Sequence, residues 1–323
     1  MMGDMDVLTE LLRIGRVGQT LMGHPTMYGD WGVRVSPSMA MVLHSSRKGS
    51  CWYHQDAAGP PLRLGEGDVI LATSGAAHGI SDAPRRELRE MDDVLEVMKL
   101  RAASAQADKL PQVTMLCAKF EVDMPRQTRL FAALPELIHL TGAQVAGDSR
   151  LSAALELFSE EAKQGGDGTE IAKSRLLDTV LIYVIRRWFE LSGPAAPGWF
   201  RAMKEPGIAA ALSAIHTDPG RGWTVDALAD IACLSRATFL RRFREATGEA
   251  PMAYLQQWRM ALAAKVLAEG RDGLAVVADR FGYDSAASFS KAFRRTIGMS
   301  PAEYRNSRRA VEPDAAELSV SPG

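Results

Sequence analysis

The chain has 323 residues, 46% of them hydrophobic and 24% charged, with a formal net charge of −1. That length allows two domains with a core each, and no run approaches the roughly 18 to 20 apolar residues of a spanning helix. Three scattered cysteines, Cys51, Cys117 and Cys233, exclude a disulfide framework or a zinc knuckle and fit a reducing compartment.

The N-terminal stretch MMGDMDVLTELLRIG lacks the basic start, apolar core and small-residue cleavage site of a secretory leader, so a cytoplasmic protein without a membrane partner is expected. From Trp31 to Phe120 the short apolar runs VRVS, MAMVLHSS, CWYH, DVILAT and VTMLCAKFEV alternate with Gly, Pro and Ser clusters. Short strands at this spacing predict a small sandwich or barrel.

After Pro125 the texture becomes helical. In IAKSRLLDTVLIYVIRRWFE, Leu177, Val180, Leu181, Val184, Ile185 and Trp188 recur every three or four residues, backed by Lys173, Arg186 and Arg187. Such a stripe serves core packing or a dimer helix, and the sequence leaves both open. LSGPAAPG, residues 191 to 198, has no periodicity and reads as a linker. The expected division is 1–190 for the first domain, 191–200 for the linker, 201–310 for a second domain and 311–323 for a disordered tail.

The net charge hides an asymmetry. Residues 220 to 310 hold 15 Lys/Arg against 9 Asp/Glu, a net of +6, while the remainder carries 23 against 30, a net of −7. A basic segment on a nearly neutral chain points to a polyanion partner.

That segment repeats itself. Phe239 and Phe243 return as Phe289 and Phe293, and GEAPMAY returns as GMSPAEY, each pair 50 residues apart. Each copy reads as helix, turn and helix, with Ser235 and Asp284 or Ser285 placed to cap the second helix. At 100° per residue the two phenylalanines mark the buried face. Ala237, Arg241 and Arg244 then project from the other side in copy one, and Ala287, Lys291 and Arg294 in copy two.

Small residues followed one turn later by a cation suit a helix in the major groove, where arginine can bond guanine O6 and N7. Arg236, Arg242 and Arg295 would meet phosphates. One such helix is usually a solvated face; two at a fixed offset favour a pair of readers. The segment 252–269, MAYLQQWRMALAAKVLAE, would be the helix that spaces them, to meet successive major-groove faces about 34 to 36 Å apart.

From Trp223 to Tyr304 the chain resembles the paired helix-turn-helix domain of AraC/XylS-type bacterial transcription regulators, and FGYDSAASFSKAFRRTIGMSPAEYR is similar to that family's signature. The resemblance implies that Ala237, Thr238 and Arg241 lie on the first recognition helix, and Ala286, Ala287, Ser288 and Lys291 on the second. The expected DNA-binding set is therefore Ser235, Arg236, Ala237, Thr238, Arg241, Arg244, Ser285, Ala286, Ala287, Ser288, Lys291 and Arg294. One departure is Cys233, where the family usually carries the turn glycine that Gly282 supplies in copy two. A positive φ there would cost on the order of 1 kcal/mol.

The N-terminal half resembles the cupin-like sensor domain of one branch of the same family. HSSRKGSCWYHQ and LGEGDVILATSGAAHGISD carry the likeness, the latter matching the second cupin motif from Gly67 through Gly75 to His78, with Thr73 where proline is common. The fold class expected is thus α+β: an N-terminal cupin-like β-barrel with trailing helices, and an all-α C-terminal domain of two helix-turn-helix units. The implied function is a sequence-specific transcription regulator that senses a small effector or oxidant. Its implied partners are double-stranded promoter DNA, RNA polymerase, an unknown small-molecule effector and a second copy of the chain.

By analogy with the fold, Trp52, Tyr53, His54 and His78 are candidates to line an effector cavity in the barrel. Cys51 and Cys117 fall on predicted strands and are redox candidates, provided that Lys48 or His54 holds an accessible thiolate; inert buried cysteines are the other reading. The alternative function is a cupin metalloenzyme with an appended basic helical domain. It needs paired histidines and a glutamate in the first motif and a histidine in the second, whereas only His78, in the second, matches; His44 and His54 lack the His-x-His spacing, and no glutamate follows at the expected distance. These three histidines either converge on a metal or bridge strands, and no catalytic residue, cofactor or metal is assigned.

Overall fold

The computed structural model describes residues 19–38, 40–55, 59–104, 107–121, 134–164, 166–192, 205–270 and 272–309. They divide into two compact units, the first holding the described residues from 19 to 192 and the second those from 205 to 309. The disordered tail expected at 311–323 and the N-terminal stretch 1–18 lie outside the described residues.

The first unit carries ten strands: β1 (Gln19–Gly23), β2 (Thr26–Tyr28), β3 (Gly32–Val35), β4 (Ala40–Lys48), β5 (Cys51–Gln55), β6 (Leu62–Leu64), β7 (Val69–Ala72), β8 (His78–Ser81), β9 (Gln112–Glu121) and β10 (Leu137–Leu140). One sheet runs β1-β9-β4-β7-β10 with β2 also on β9, and the other runs β3-β8-β5-β6. All named pairings are antiparallel. The two sheets enclose one core, to which β9 gives Val113, Met115 and Cys117, β5 gives Cys51 and Tyr53, and helix α1 (Met91–Ala102) gives Val94 and Met98. The barrel expected from sequence takes this two-sheeted form.

A buried carboxylate fixes one end of this core. Asp68 accepts from Gly65 N at 3.0 Å, from Gly142 N at 2.7 Å and from His139 Nε2 at 3.0 Å, so the turn before β7 is tied both to β10 and to helix α2 (Gly142–Ala146). Gly67 in that turn has φ of +84°, a conformation that side-chain-bearing residues rarely adopt.

Two long helices follow, α3 (Ser149–Gln164) and α4 (Thr169–Ser192); α4 packs on α3 and reaches β1 and β10. Leu177, Val180, Leu181, Val184 and Ile185 are all buried. The stripe therefore serves the core of this unit, and only Trp188 is partly exposed. The helix also runs to Ser192, so residues 191 and 192 are its last turn rather than linker; residues 193–200 lie outside the described residues.

The second unit is all helical: α5 (Pro206–Thr217), α6 (Val225–Ile231), α7 (Arg236–Thr247), α8 (Pro251–Glu269), α9 (Leu274–Arg280), α10 (Ala286–Ile297) and α11 (Pro301–Arg309). Thr224, Ser235 and Ser285 cap α6, α7 and α10 by accepting from Ala227 N, Thr238 N and Ser288 N. Gly248 and Gly298 end α7 and α10 in the left-handed conformation. Phe239, Phe243, Phe289 and Phe293 are fully buried. Tyr254 meets Phe243 and Tyr304 meets Phe293 edge-on, each at 5.7 Å.

The duplication keeps a 50-residue offset after the turns, but α6 and α9 begin at 225 and 274, an offset of 49. Copy two thus has one extra residue between the turn and the second helix. In both copies the residue at the bend has positive φ, 52° at Cys233 and 74° at Gly282. A Cβ on Gly282 would also lie 2.3 Å from Gly220 O. Cys233→Gly is expected to raise the unfolding free energy by about 0.5–1 kcal/mol, and Gly282→Ala to lower it by about 2 kcal/mol or more, both measured by urea denaturation. An unchanged midpoint for both variants would contradict the strain argument.

His216 on α5 stacks on Trp258 with ring centroids 3.9 Å apart and shares a 2.8 Å hydrogen bond with Tyr254 Oη. Burial pushes its imidazole down to about 3. The fold therefore holds the neutral ring, while the unfolded chain takes up a proton below about pH 6.5. This contribution is intact above that pH and falls as the pH drops toward 3, with a slope approaching about 1.4 kcal/mol per pH unit. Thermal melts of wild type and His216→Phe between pH 7 and 4 should show the steeper loss in wild type.

Candidate nucleic-acid interface and sensor interior

Inside the first unit, β4 lies antiparallel to β9 with His44 directly opposite Cys117. His44 Nδ1 is 3.2 Å from Cys117 Sγ, and His44 Nε2 is 3.0 Å from His78 Nε2. His78 Nδ1 lies 3.0 Å from Ala76 O, which can only accept, so His78 carries its proton on Nδ1. Its Nε2 must then accept from His44 Nε2–H, and His44 Nδ1 accepts the Cys117 thiol. Every proton is placed with both rings neutral. Burial lowers the affinity of each ring for a second proton, reinforced at His44 by the neighbouring His78.

The four residues expected to line an effector cavity do not share one face. Tyr53 and His78 point inward and stack at 5.3 Å. Trp52 and His54 alternate to the other side of β5, where His54 Nε2 donates to Ser81 Oγ at 2.6 Å. The three histidines considered as metal ligands separate likewise: His44 and His78 meet each other, and His54 is held by Ser81. No group of three His, Cys, Asp or Glu side chains suited to a metal occurs among the described residues. The donor set does not fit a resident metal.

The redox candidates also change character. Cys51 and Cys117 are both buried, and burial pushes each thiol up to about 12, helped by the Asp68 charge at Cys51 and by Cys51 at Cys117. The accessible, acidified thiolate that oxidant sensing requires is absent from both. Neither Lys48 nor His54 offsets that burial.

In the second unit the faces expected to read DNA are exposed where helical arithmetic puts them. Arg236, Ala237, Arg241 and Arg244 on α7 are exposed, as are Ala287, Ser288, Lys291 and Arg294 on α10, opposite the buried phenylalanines. Thr238 and Ala286 are partly exposed at the two N-termini. The Ser235 and Ser285 hydroxyls are engaged within their helices, donating to Thr238 Oγ1 and Ser288 Oγ. Ser235 and Ser285 therefore position the first turns of α7 and α10.

Helix α8 buries Tyr254 and Trp258 toward copy one and Met260, Ala263, Ala264 and Leu267 toward copy two. Its Arg259 donates to Pro219 O at 2.6 Å and to Arg221 O at 2.8 Å, locking the turn ahead of α6. The sequence reading did not foresee the acidic partners of copy one. Arg241 bonds Glu245, Arg236 bonds Asp226 and Arg242 bonds Glu205. Only the four-residue spacing from Arg241 to Glu245 could have signalled one of them.

Among the described residues, no helix is long and apolar enough to cross a membrane. Residues 6–190 match the family described as Cupin, and residues 228–307 the family described as Helix-turn-helix domain. A protein of Streptomyces lividans described as an AraC-like transcription regulator is 30% identical over 93% of this chain and 98% of its own length. The HTH-type transcriptional regulator AlkR of Acinetobacter baylyi is 28% identical over 93% of this chain and 99% of its own. The DNA-binding domain of AdpA, a global transcriptional factor crystallised with a target DNA, is 35% identical and covers 34% of this chain and 98% of that one, with a TM-score of 0.32. The two family matches and the two full-length relatives favour the regulator over the cupin metalloenzyme, and the chain belongs to the AraC family of transcription regulators, with a cupin N-terminal domain and a DNA-binding helix-turn-helix domain.

Proposed function

We propose that the cupin unit binds a small effector and thereby changes how the paired helix-turn-helix unit engages double-stranded promoter DNA and RNA polymerase. The observation that carries this reading is the pair of exposed faces, Ala237 with Arg241 and Ala287 with Lys291, set opposite four buried phenylalanines. The setting is the cytoplasm, with residues 1–190 sensing and 201–310 binding DNA. A homodimer is part of the proposal, supported by Leu157 on α3 and Ile171 on α4, which leave large apolar side chains in solvent.

A small molecule rather than an oxidant is the signal in this reading, because both sensor thiols are sealed and unacidified. Brief iodoacetamide treatment of the native chain, followed by mass spectrometry, should label exposed Cys233 and leave Cys51 and Cys117 unmodified. Rapid labelling of Cys117 would reopen the oxidant reading.

Arg241→Ala is expected to cost about 1–3 kcal/mol on a duplex enriched from a random pool, and Lys291→Ala to weaken the same complex. Fluorescence anisotropy at fixed salt, repeated on a scrambled duplex, separates base reading from phosphate contact. Equal losses on both duplexes would assign these side chains to phosphates, and failure to enrich any duplex would overturn the regulator reading.

A further inference from the structure

The two reader helices carry the same formal charge and use it differently. Helix α7 has Arg236, Arg241, Arg242 and Arg244 against Glu245, and α10 has Lys291, Arg294 and Arg295 with no acidic residue, a net of +3 each. In copy one, three of the four arginines already hold carboxylates: Arg241 Nη1 lies 3.1 Å from Glu245 Oε1, Arg236 2.7 Å from Asp226, and Arg242 2.7 Å from Glu205. In copy two, no described carboxylate lies within ion-pair distance of Lys291, Arg294 or Arg295, and Arg294 acts on Glu303 of α11 only at longer range.

The duplication makes the contrast positional. After the turn the offset is 50, so Glu245 corresponds to Arg295; before it the offset is 49, so Asp226 corresponds to Ala275. Where copy one follows its reading cation with a carboxylate one helical turn later, copy two follows it with an arginine.

Arg241 and Glu245 are each 61% exposed, so their pairing adds little to stability. Beside a phosphate backbone its effect is larger. A carboxylate on a face that approaches DNA is repelled by phosphates, and it occupies the guanidinium that would otherwise fasten to any of them.

We propose that Glu245 is a specificity-determining residue of the first reader. It withholds Arg241 from indiscriminate phosphate contact, so that Arg241 is released only where a base edge replaces the carboxylate bidentately. Lys291 and Arg295, which hold no described carboxylate, and Arg294, which acts on Glu303 only from beyond ion-pair distance, supply the salt-dependent anchoring that holds any duplex. This inference rests on the DNA-binding reading and assigns a division of labour within it.

The test uses the full chain, a duplex enriched from a random pool by wild-type protein, and a scrambled duplex, with anisotropy titrations over a range of salt concentrations. Glu245→Gln should bind the scrambled duplex several-fold tighter, gain less on the enriched one, and steepen the salt dependence on scrambled DNA by about one unit of logarithmic slope. Arg295→Glu should weaken both duplexes and flatten that slope. Unchanged binding of both duplexes by Glu245→Gln would overturn the proposal. So would an equal loss on both, which would make Glu245 a strut for Arg241, or a loss on the enriched duplex alone, which would make Glu245 itself the base reader. If wild type enriches no duplex, the failure belongs to the DNA-binding reading instead.

Discussion

Helix α8 is the constraint on which the second unit depends, because it is buried on two faces at once. One face packs Tyr254 and Trp258 into the aromatic cluster of Phe243 and His216, and the other packs Met260, Ala263, Ala264 and Leu267 under Phe289 and Phe293. An amphipathic surface helix buries one stripe; α8 buries two because a helix-turn-helix copy lies on each side of it. Each aromatic ring sealed in this way removes some 150–250 Å² from water, so rotating one copy against the other would expose surface the unit cannot lose cheaply. Arg259 adds a polar tie by capping the backbone carbonyls at Pro219 and Arg221.

The duplicated sequence has stayed symmetric inside and diverged outside. The paired phenylalanines, the capping serines, the left-handed glycines and the following prolines recur, since each answers a packing or backbone demand that both copies face. The turns differ because only one is crowded. Gly220 O approaches Gly282 so closely that no Cβ fits, whereas Cys233 stands exposed and bears only the cost of its positive φ. The exposed faces of α7 and α10 are free of both demands, and there the ion-paired arginines of copy one and the cations of copy two have parted.

Elements governed by local chemistry were legible in the sequence. The caps, the bend residues, the buried faces of α7 and α10 and the strand-rich texture before residue 121 all follow from patterns within a few positions of one another. The interior of the first unit was not, because it is assembled by strand pairing. Trp52, Tyr53 and His54 are neighbours in sequence, yet the period of two sends Tyr53 inward and the other two outward. His44 meets Cys117 across 73 positions and His78 across 34, and no local signal fixes that register. The stripe on α4 shows the remaining ambiguity: its spacing suits a core or an interface equally, and only the packing on α3, β1 and β10 decides.

The interior of the first unit is closed by its own hydrogen bonds. From Cys117 through His44 and His78 to Ala76 O, each donor has its acceptor, and the three side chains are buried. A ligand that parts His78 from His44 leaves a ring N–H without an acceptor and a ring nitrogen without a donor, and each orphaned group costs about 1–3 kcal/mol. Apolar contact with Tyr53 cannot replace those bonds. Any molecule that displaced this contact would have to present a donor and an acceptor of its own, inside an otherwise hydrophobic core.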